Sequence, residues 1–219
     1  MVSVMYSHRD HRGINMKQYG IALALIASVV MSPLSWATEQ AKQQLQDKMQ
    51  QLESVQASFE QTVTGSSGEV LQSLTGELAL QRPAMLRWRS NPPDDTLLIA
   101  DGESVWYYNP FVEQVTVYAQ SNAVENSPLL LLMEGSKERW QQFDVTYDGA
   151  EGAFEVVNEN TGSELNLSFT GDKLTRIVLK QKQGDTTTIA LTDVVMNESL
   201  PTDLFQFDIP EGVEVDDQR

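Results

Sequence analysis

The sequence contains no cysteine, and its only two histidines, His8 and His11, lie close to its start. A chain without cysteine has no disulfide framework and no residue that could accept a lipid anchor after a secretion signal. If the N-terminal segment is removed, no histidine remains either. Ser-His and Cys-His nucleophilic catalysis and the usual zinc sites then lack their essential residues. These absences exclude most hydrolase mechanisms.

Positive charge is also scarce. The chain has 15 Lys and Arg against 31 Asp and Glu, which gives a formal net charge of −16. A surface of this sign repels phosphate backbones and anionic lipid headgroups. Nucleic acid is therefore not an expected partner, and stable insertion into a membrane is not expected.

Long apolar runs are limited to "IALALIASVV", residues 21–30, which follows a leader containing Arg9, Arg12 and Lys17. This run is too short for a membrane span, which needs about 20 residues. It is followed by Ser35-Trp36-Ala37, with small residues at the first and third positions, as a signal peptidase requires. We expect a cleaved signal peptide over residues 1–37 and a single domain over residues 38–219. An uncleaved N-terminal anchor is the alternative.

Two segments have the pattern of helices. In "TEQAKQQLQDKMQQLESV", Ala41, Leu45, Met49 and Leu52 recur at intervals of three and four, and Thr38 can cap the start. In "SPLLLLMEG", residues 127–135, a serine cap and a proline precede five apolar residues, and a glycine ends the run. Both segments are expected to lie with an apolar face on a sheet.

The rest of the chain alternates with a period of two and is divided by turn signals such as Asp-Gly and Asn-Pro. Strands closely joined in this way are antiparallel. About eleven strands in one domain predict a strongly curved sheet or barrel, with at least two helices on one face. The predicted strands span residues 58–63, 69–82, 85–90, 96–100, 104–108, 113–118, 143–147, 153–158, 164–169, 174–180, 186–194 and 205–209.

Arg82 is the most informative single residue. By alternation it shares a face with Leu78 and Leu80, where an unpaired charge costs several kcal/mol. One interpretation is that Arg82 points inward and hydrogen-bonds the covering helices. The other is that the strand has ended and Arg82 turns to solvent before Pro83. The alternation alone leaves both open.

The aromatic residues and the carboxylates each allow a structural and a functional interpretation. Trp88 and the stretch "VWYYNPF", residues 105–111, are typical of strand cores and strand ends, and they also fit the rim of an apolar cavity. The many carboxylates could supply the acid pair of a glycosidase. Asp94-Asp95 and Asp216-Asp217 are instead expected to be solvated charges in a loop and in the C-terminal tail.

The motifs "SFEQTVTGSSGEV", "LQRPAMLRW", "DGESVWYYNPFVEQ", "NSPLLLLM", "RWQQFDV" and "PEGVEVDDQR" together resemble the LolA family of periplasmic lipoprotein carriers, in the family's order and over nearly the whole of residues 38–219. The resemblance implies an incomplete antiparallel β-barrel whose hydrophobic concave face is capped by a helical lid. It also implies that Arg82, in the Arg-Pro step at a strand end, bonds the lid in the closed state.

On this basis we expect a soluble, monomeric periplasmic carrier without enzymatic activity, metal or cofactor. The resemblance implies acylated lipoproteins as cargo, an inner-membrane ABC-type release complex as donor and the outer-membrane receptor LolB as acceptor. A periplasmic lipid-sensing regulator and a carboxylate-dependent glycosidase are the alternatives. The expected residues of the lipid-binding cavity and lid are Leu74, Leu78, Leu80, Arg82, Leu86, Trp88, Trp106, Tyr108, Phe111, Leu129, Leu130, Leu132 and Met133.

Overall fold

The structure is a computed structural model that describes residues 33–121, 140–158, 160–181 and 184–219, with side chains from residue 38 onward. The elements with described bounds are one α-helix, one short 3-10 helix and twelve β-strands, and all the strands lie in one sheet; residues 120, 121 and 140 are also helical. No helix within them is both long enough and apolar enough to cross a membrane. The helix predicted over residues 127–135 lies outside the described residues.

The α-helix, α1, spans Pro33–Gln50. Ala41, Leu45 and Met49 are buried, as their spacing predicts. The helix begins five residues before Thr38, so the prediction that Thr38 caps it is wrong. Proline is well tolerated in a first helical turn, because the N–H that it lacks would have no partner there.

Twelve strands form the sheet, and they follow the predicted alternation closely. Their bounds are β1 Ser54–Thr64, β2 Val70–Gln81, β3 Met85–Ser90, β4 Leu97–Asp101, β5 Ser104–Asn109, β6 Gln114–Ala119, β7 Phe143–Asp148, β8 Ala153–Asn158, β9 Glu164–Thr170, β10 Lys173–Lys180, β11 Thr186–Met196 and β12 Glu214–Asp217. The order across the sheet is β12-β6-β5-β4-β3-β2-β1-β11-β10-β9-β8-β7. Every pair is antiparallel except β12 with β6.

The sheet is open but strongly curved. Its end strands, β12 and β7, each pair with a single neighbour among the described strands. Strands β6 and β10 are seven steps apart, which would place them roughly 34 Å apart in a flat sheet. Side chains from both strands nevertheless line the same cavity. The predicted mainly β architecture, an incomplete antiparallel barrel, is confirmed.

The main core lies between α1 and the concave face of this sheet. Leu45 and Met49 of the helix pack with Val145, Leu165 and Ile177 of the strands. Lys48 fixes the helix to the β9–β10 turn, where its ammonium group donates to the carbonyl of Gly171 and to the carboxylate of Asp172, at 3.0 Å and 2.9 Å. The predicted packing of a helix on one face of the sheet is therefore observed for α1.

The predicted strand over residues 205–209 is wrong. A 3-10 helix, Thr202–Phe205, forms where that strand was expected to begin. Phe205 is buried with Leu200 against Ala79 on the convex face of the sheet. Burial of these apolar side chains outweighs the local alternation of apolar and polar residues, which by itself is typical of a strand.

Asp216 and Asp217 were predicted to be solvated charges in the tail, and Asp217 is exposed and Asp216 partly so; the strand that contains them, β12, was not predicted. Residues Glu214–Asp217 pair in parallel with Gln114–Val117 of β6. The sequence of this strand is acidic and has little β propensity, so local pattern did not predict it. Backbone hydrogen bonds to an edge strand stabilise it instead.

Candidate functional site

The concave face of the sheet carries three rows of side chains that follow from strand register. One row contains Leu80, Leu86, Ala100, Val105 and Tyr118, and the next contains Leu78, Trp88, Leu98 and Tyr107. The third row, at the end of the strands, begins with Gly76 and Ser90. Alternate residues of a strand are roughly 7 Å apart, so the rows form successive layers from one end of the barrel to the other.

An inner cavity of about 40 Å³ lies beneath α1. It is lined by Met49, Leu52, Val55, Leu78, Leu80, Arg82, Leu86, Trp88, Leu174, Ile177 and Leu191. All of these except Arg82 are apolar. A space with this lining favours hydrocarbon over water, because it offers few hydrogen-bond partners.

Arg82 is the one charged residue in that lining. Its backbone N–H donates to the carbonyl of Glu53 at 2.9 Å, so the chain is still held to the sheet at this point. Its side chain is half-buried, and burial lowers the pKa of the guanidinium group. Of the two interpretations left open by the sequence, the structure places Arg82 on the concave side with Leu78 and Leu80.

An outer cavity of about 680 Å³ opens on the other side of Leu86 and Trp88. This volume is within the range of about 300–1,000 Å³ that is typical of small-ligand sites. The side chains deep in this cavity are mainly apolar, and those at its open edge are mainly polar. The lining residues are Gln61, Gln72, Leu74, Leu86, Trp88, Ser90, Asp94, Thr96, Leu98, Val105, Tyr107, Asn109, Phe111, Tyr118, Leu179, Thr187 and Ile189.

Leu86 and Trp88 line both cavities and form the partition between them. The Trp88 ring packs against the ring of Phe59, with centroids 4.0 Å apart. Phe59 lies directly over Gly76, its partner in β2. A Cβ atom at position 76 would be 2.0 Å from the backbone carbonyl oxygen of Arg89 and 2.5 Å from Cζ of Phe59, so only glycine fits between the neighbouring strand and the phenyl ring.

The prediction that Trp106 and Tyr108 line the cavity is wrong. They lie on the convex side, with ring centroids 5.7 Å and 5.9 Å from Phe207 of the C-terminal segment. Tyr107, between them, lines the outer cavity instead. Successive strand residues point to opposite faces, so an error of one residue in assigning the inward side of a strand exchanges its inward-facing residues for its outward-facing ones.

Trp106 is held on that side by polar contacts. Its indole N–H donates to Oδ2 of Asp101 at 2.8 Å, while Oδ1 accepts from the backbone N–H groups of Glu103 and Ser104. Burial alone would raise the pKa of Asp101, but the hydrogen bonds from Ser104, Trp106 and Glu103 lower it. The Arg219 guanidinium lies 5.9 Å from the Trp106 ring centroid. These contacts fix the C-terminal residue to β5.

The remaining predicted residues divide into three groups. Leu74 and Phe111 line the outer cavity, and Phe111 is 69% exposed at its rim. Leu78 and Leu80 line the inner cavity. Leu129, Leu130, Leu132 and Met133 lie outside the described residues. Met49 of α1, Leu52 just after it and the residues contributed by β10 and β11 were not among the predicted cavity residues, because the tertiary packing and distant strand pairing that bring them together leave no local signal.

Comparison with known proteins supports the resemblance. A family model described as "Outer membrane lipoprotein carrier protein LolA" matches residues 50–208. An outer-membrane lipoprotein carrier protein from Idiomarina loihiensis is 42% identical over 198 residues, covering 90% of this chain and 98% of the relative. Another, from Shewanella halifaxensis, is 36% identical over 182 residues, covering 82% of this chain and 86% of the relative.

Among solved structures, a DUF1329 family protein from Desulfovibrio piger has a similar fold. Its TM-score is 0.51 at 10% identity, over 78% of this chain and 97% of that chain, so the similarity concerns the fold alone. The family match and the sequence identities concern most of the chain. The chain therefore belongs to the LolA family of outer membrane lipoprotein carrier proteins.

Proposed function

We propose that this protein carries acylated lipoproteins through an aqueous compartment by sheltering their acyl chains in the concave cavities. The observation that carries this proposal is the pair of cavities beneath α1 and beside Trp88, the inner one small and lined almost wholly by apolar side chains and the outer one larger and open toward the barrel end. The relatives, which are named outer-membrane lipoprotein carrier proteins, point to the same cargo.

The energetic problem of such a carrier is the hydrocarbon of its cargo. Burying one methylene is worth about 0.8 kcal/mol, so exposing one chain of about 14 carbons to water costs on the order of 10 kcal/mol. A concave apolar surface offsets this term. The same surface must also release the chain, so its net affinity has to be smaller than its contact area suggests.

A removable cover solves this second problem. We propose that the leucine-rich segment, with Leu129, Leu130, Leu132 and Met133, competes with acyl chains for the concave face. Arg82 would bias this competition, since hydrogen bonds to a charged group contribute about 1.5–3 kcal/mol each. Bonds from Arg82 to the cover would favour the closed, empty form and so drive delivery.

We further propose that residues 1–37 are a cleaved signal, that residues 38–219 are the carrier domain, and that the carrier works as a monomer in the periplasm. The donor would be an inner-membrane ABC-type release complex and the acceptor the outer-membrane receptor LolB. The acidic surface supports free diffusion, because it is repelled by anionic lipid headgroups.

The direct test is release of a labelled triacylated lipoprotein from spheroplasts when the purified protein is added. We expect the protein to release the label in a soluble complex. Leu98→Asp, which puts a charge into the wall of the outer cavity, should reduce release, whereas Val215→Asp on exposed β12 should not. Circular dichroism would establish that both variants are folded. Equal release with and without added protein would contradict the proposal.

A further inference from the structure

The outer cavity has a polar margin that apolar shelter alone does not explain. Six amide and aliphatic hydroxyl side chains line it, namely Gln61, Gln72, Ser90, Thr96, Asn109 and Thr187. Below them lie Leu98 and Tyr107, in the same row as Trp88. The lining therefore changes from mainly aliphatic and aromatic side chains to amide and hydroxyl groups over roughly one two-residue step of a strand, or about 7 Å.

Strand register places most of these polar residues at one end of the barrel. Gln72 and Thr187 both pair with Val63 near the end of β1. Ser90 and Asn109 are the last residues of β3 and β5, which run in the same direction as β1. Thr96 directly precedes β4 and donates from its hydroxyl to that of Ser90, at 3.2 Å. The polar margin thus follows the rim through which a bound chain would emerge.

These groups suit a neutral headgroup. Each side-chain amide offers two N–H donors and a carbonyl acceptor. Asn109 uses its carbonyl oxygen to accept from the N–H of Phe111 at 3.0 Å, which leaves its two donors for other partners. Amide and ester carbonyls that follow directly on a hydrocarbon chain are complementary to donors arranged in this way.

The charge of the margin disfavours an anionic headgroup. Asp94 is the charged residue in the described lining of the outer cavity, and it carries the same sign as a carboxylate or phosphate. A buried or half-buried anion needs a cation or several charge-assisted hydrogen bonds. Arg82 belongs to the inner cavity of about 40 Å³, which is too small to admit a headgroup beside it.

From this gradient we infer that the outer cavity selects acyl chains that carry a neutral headgroup and discriminates against free fatty acids and anionic phospholipids. The inference deepens the proposed function and rests on it. It gives the polar margin of the cavity a distinct role from its hydrocarbon floor. The floor supplies affinity for the chain, and the margin identifies what the chain is attached to.

The test uses three ligands that share a palmitoyl chain: a neutral N-palmitoyl dipeptide amide, palmitate, and a palmitoyl lysophosphatidylglycerol. Each would displace a neutral fluorescent probe from the purified protein at neutral pH. We expect the neutral ligand to bind at least about tenfold more tightly than either anion, which corresponds to loss of one well-made polar interaction.

A charge reversal sharpens the test. Asp94→Lys should raise the affinity for palmitate, whereas Glu103→Lys, an equal change in net charge in the exposed β4–β5 turn, should leave it unchanged. Equal binding of all three ligands, preference for the phospholipid, or loss of palmitate binding in Arg82→Leu would overturn the inference while leaving lipid carriage intact. Failure of every ligand to displace the probe would overturn the proposed function as well.

Discussion

The ring of Trp88 packs against the ring of Phe59, with centroids 4.0 Å apart and ring planes at 32°. Phe59 belongs to β1 and is buried, whereas Trp88 belongs to β3 and lines both cavities. The two strands are separated by β2, whose Gly76 leaves room for the contact. This pair therefore fixes the partition between the small inner cavity and the larger outer one.

Gly76→Ala should destabilise the protein by about 1–3 kcal/mol, because the new methyl group would clash with the backbone carbonyl oxygen of Arg89 in β3 and with the ring of Phe59 beneath Trp88. Chemical denaturation would measure the free energy of unfolding. Gly149→Ala is a suitable control, since a Cβ there would meet Tyr147 at an ordinary 3.6 Å. If both variants unfold at the same denaturant concentration, the close packing at Gly76 does not limit stability.

Arg82→Leu should still take up lipoprotein but deliver it poorly, because the bias toward the closed form is lost. Loss of one charge-assisted hydrogen bond corresponds to a loss of roughly 10- to 100-fold in transfer to the acceptor. A purified two-protein transfer assay with labelled cargo would measure this. Arg89→Leu removes an equal charge from an exposed residue that pairs with Asp95, and it should transfer normally. Wild-type transfer by Arg82→Leu would remove Arg82 from the mechanism.

Phe205→Ala should lower the free energy of unfolding by about 3 kcal/mol, because this side chain is 2% exposed and packs on Ala79 and Leu200. Thermal or urea denaturation would provide the value. The neighbouring Ile209 is 47% exposed, so Ile209→Ala should change stability by less than about 1 kcal/mol. A small effect at Phe205 would mean that the C-terminal segment adds little to the fold.

The pairing of Arg219 with Asp217 of β12 should weaken in acid. Hydrogen bonds from Arg219 lower the pKa of Asp217 from 3.8 to about 2. Because the pKa is lower in the folded protein, the stabilising contact is fully present above pH 3.8 and is lost as the pH falls toward about 2. NMR titration of the Asp217 carboxyl group would check this directly.

Arg219→Ala should return the pKa of Asp217 toward its ordinary value and increase hydrogen exchange of the β12 amides at neutral pH. Arg176→Ala removes a cation from β10 and serves as the matched control. It should leave the Asp217 titration unchanged. An unchanged Asp217 titration in Arg219→Ala would contradict the assigned pairing.

Local sequence determined much of this protein. Alternation and turn residues predicted eleven of the strands, since side-chain polarity in a half-buried strand reports directly which face meets the core. The spacing of Ala41, Leu45 and Met49 predicted the buried face of α1 in the same way. Motif similarity led to the LolA family, and the comparisons confirmed it.

Tertiary structure decided the rest. Pairing of β1 with β11 brings Leu191 and Ile177 to the inner cavity, and no local pattern encodes contacts at such sequence separation. The parity of Trp106, Tyr107 and Tyr108 was ambiguous because all three are aromatic, and only the packing of Phe207 on the convex face resolved it. Local alternation fixes which residues share a face, whereas the pairing of distant strands fixes which faces enclose a cavity.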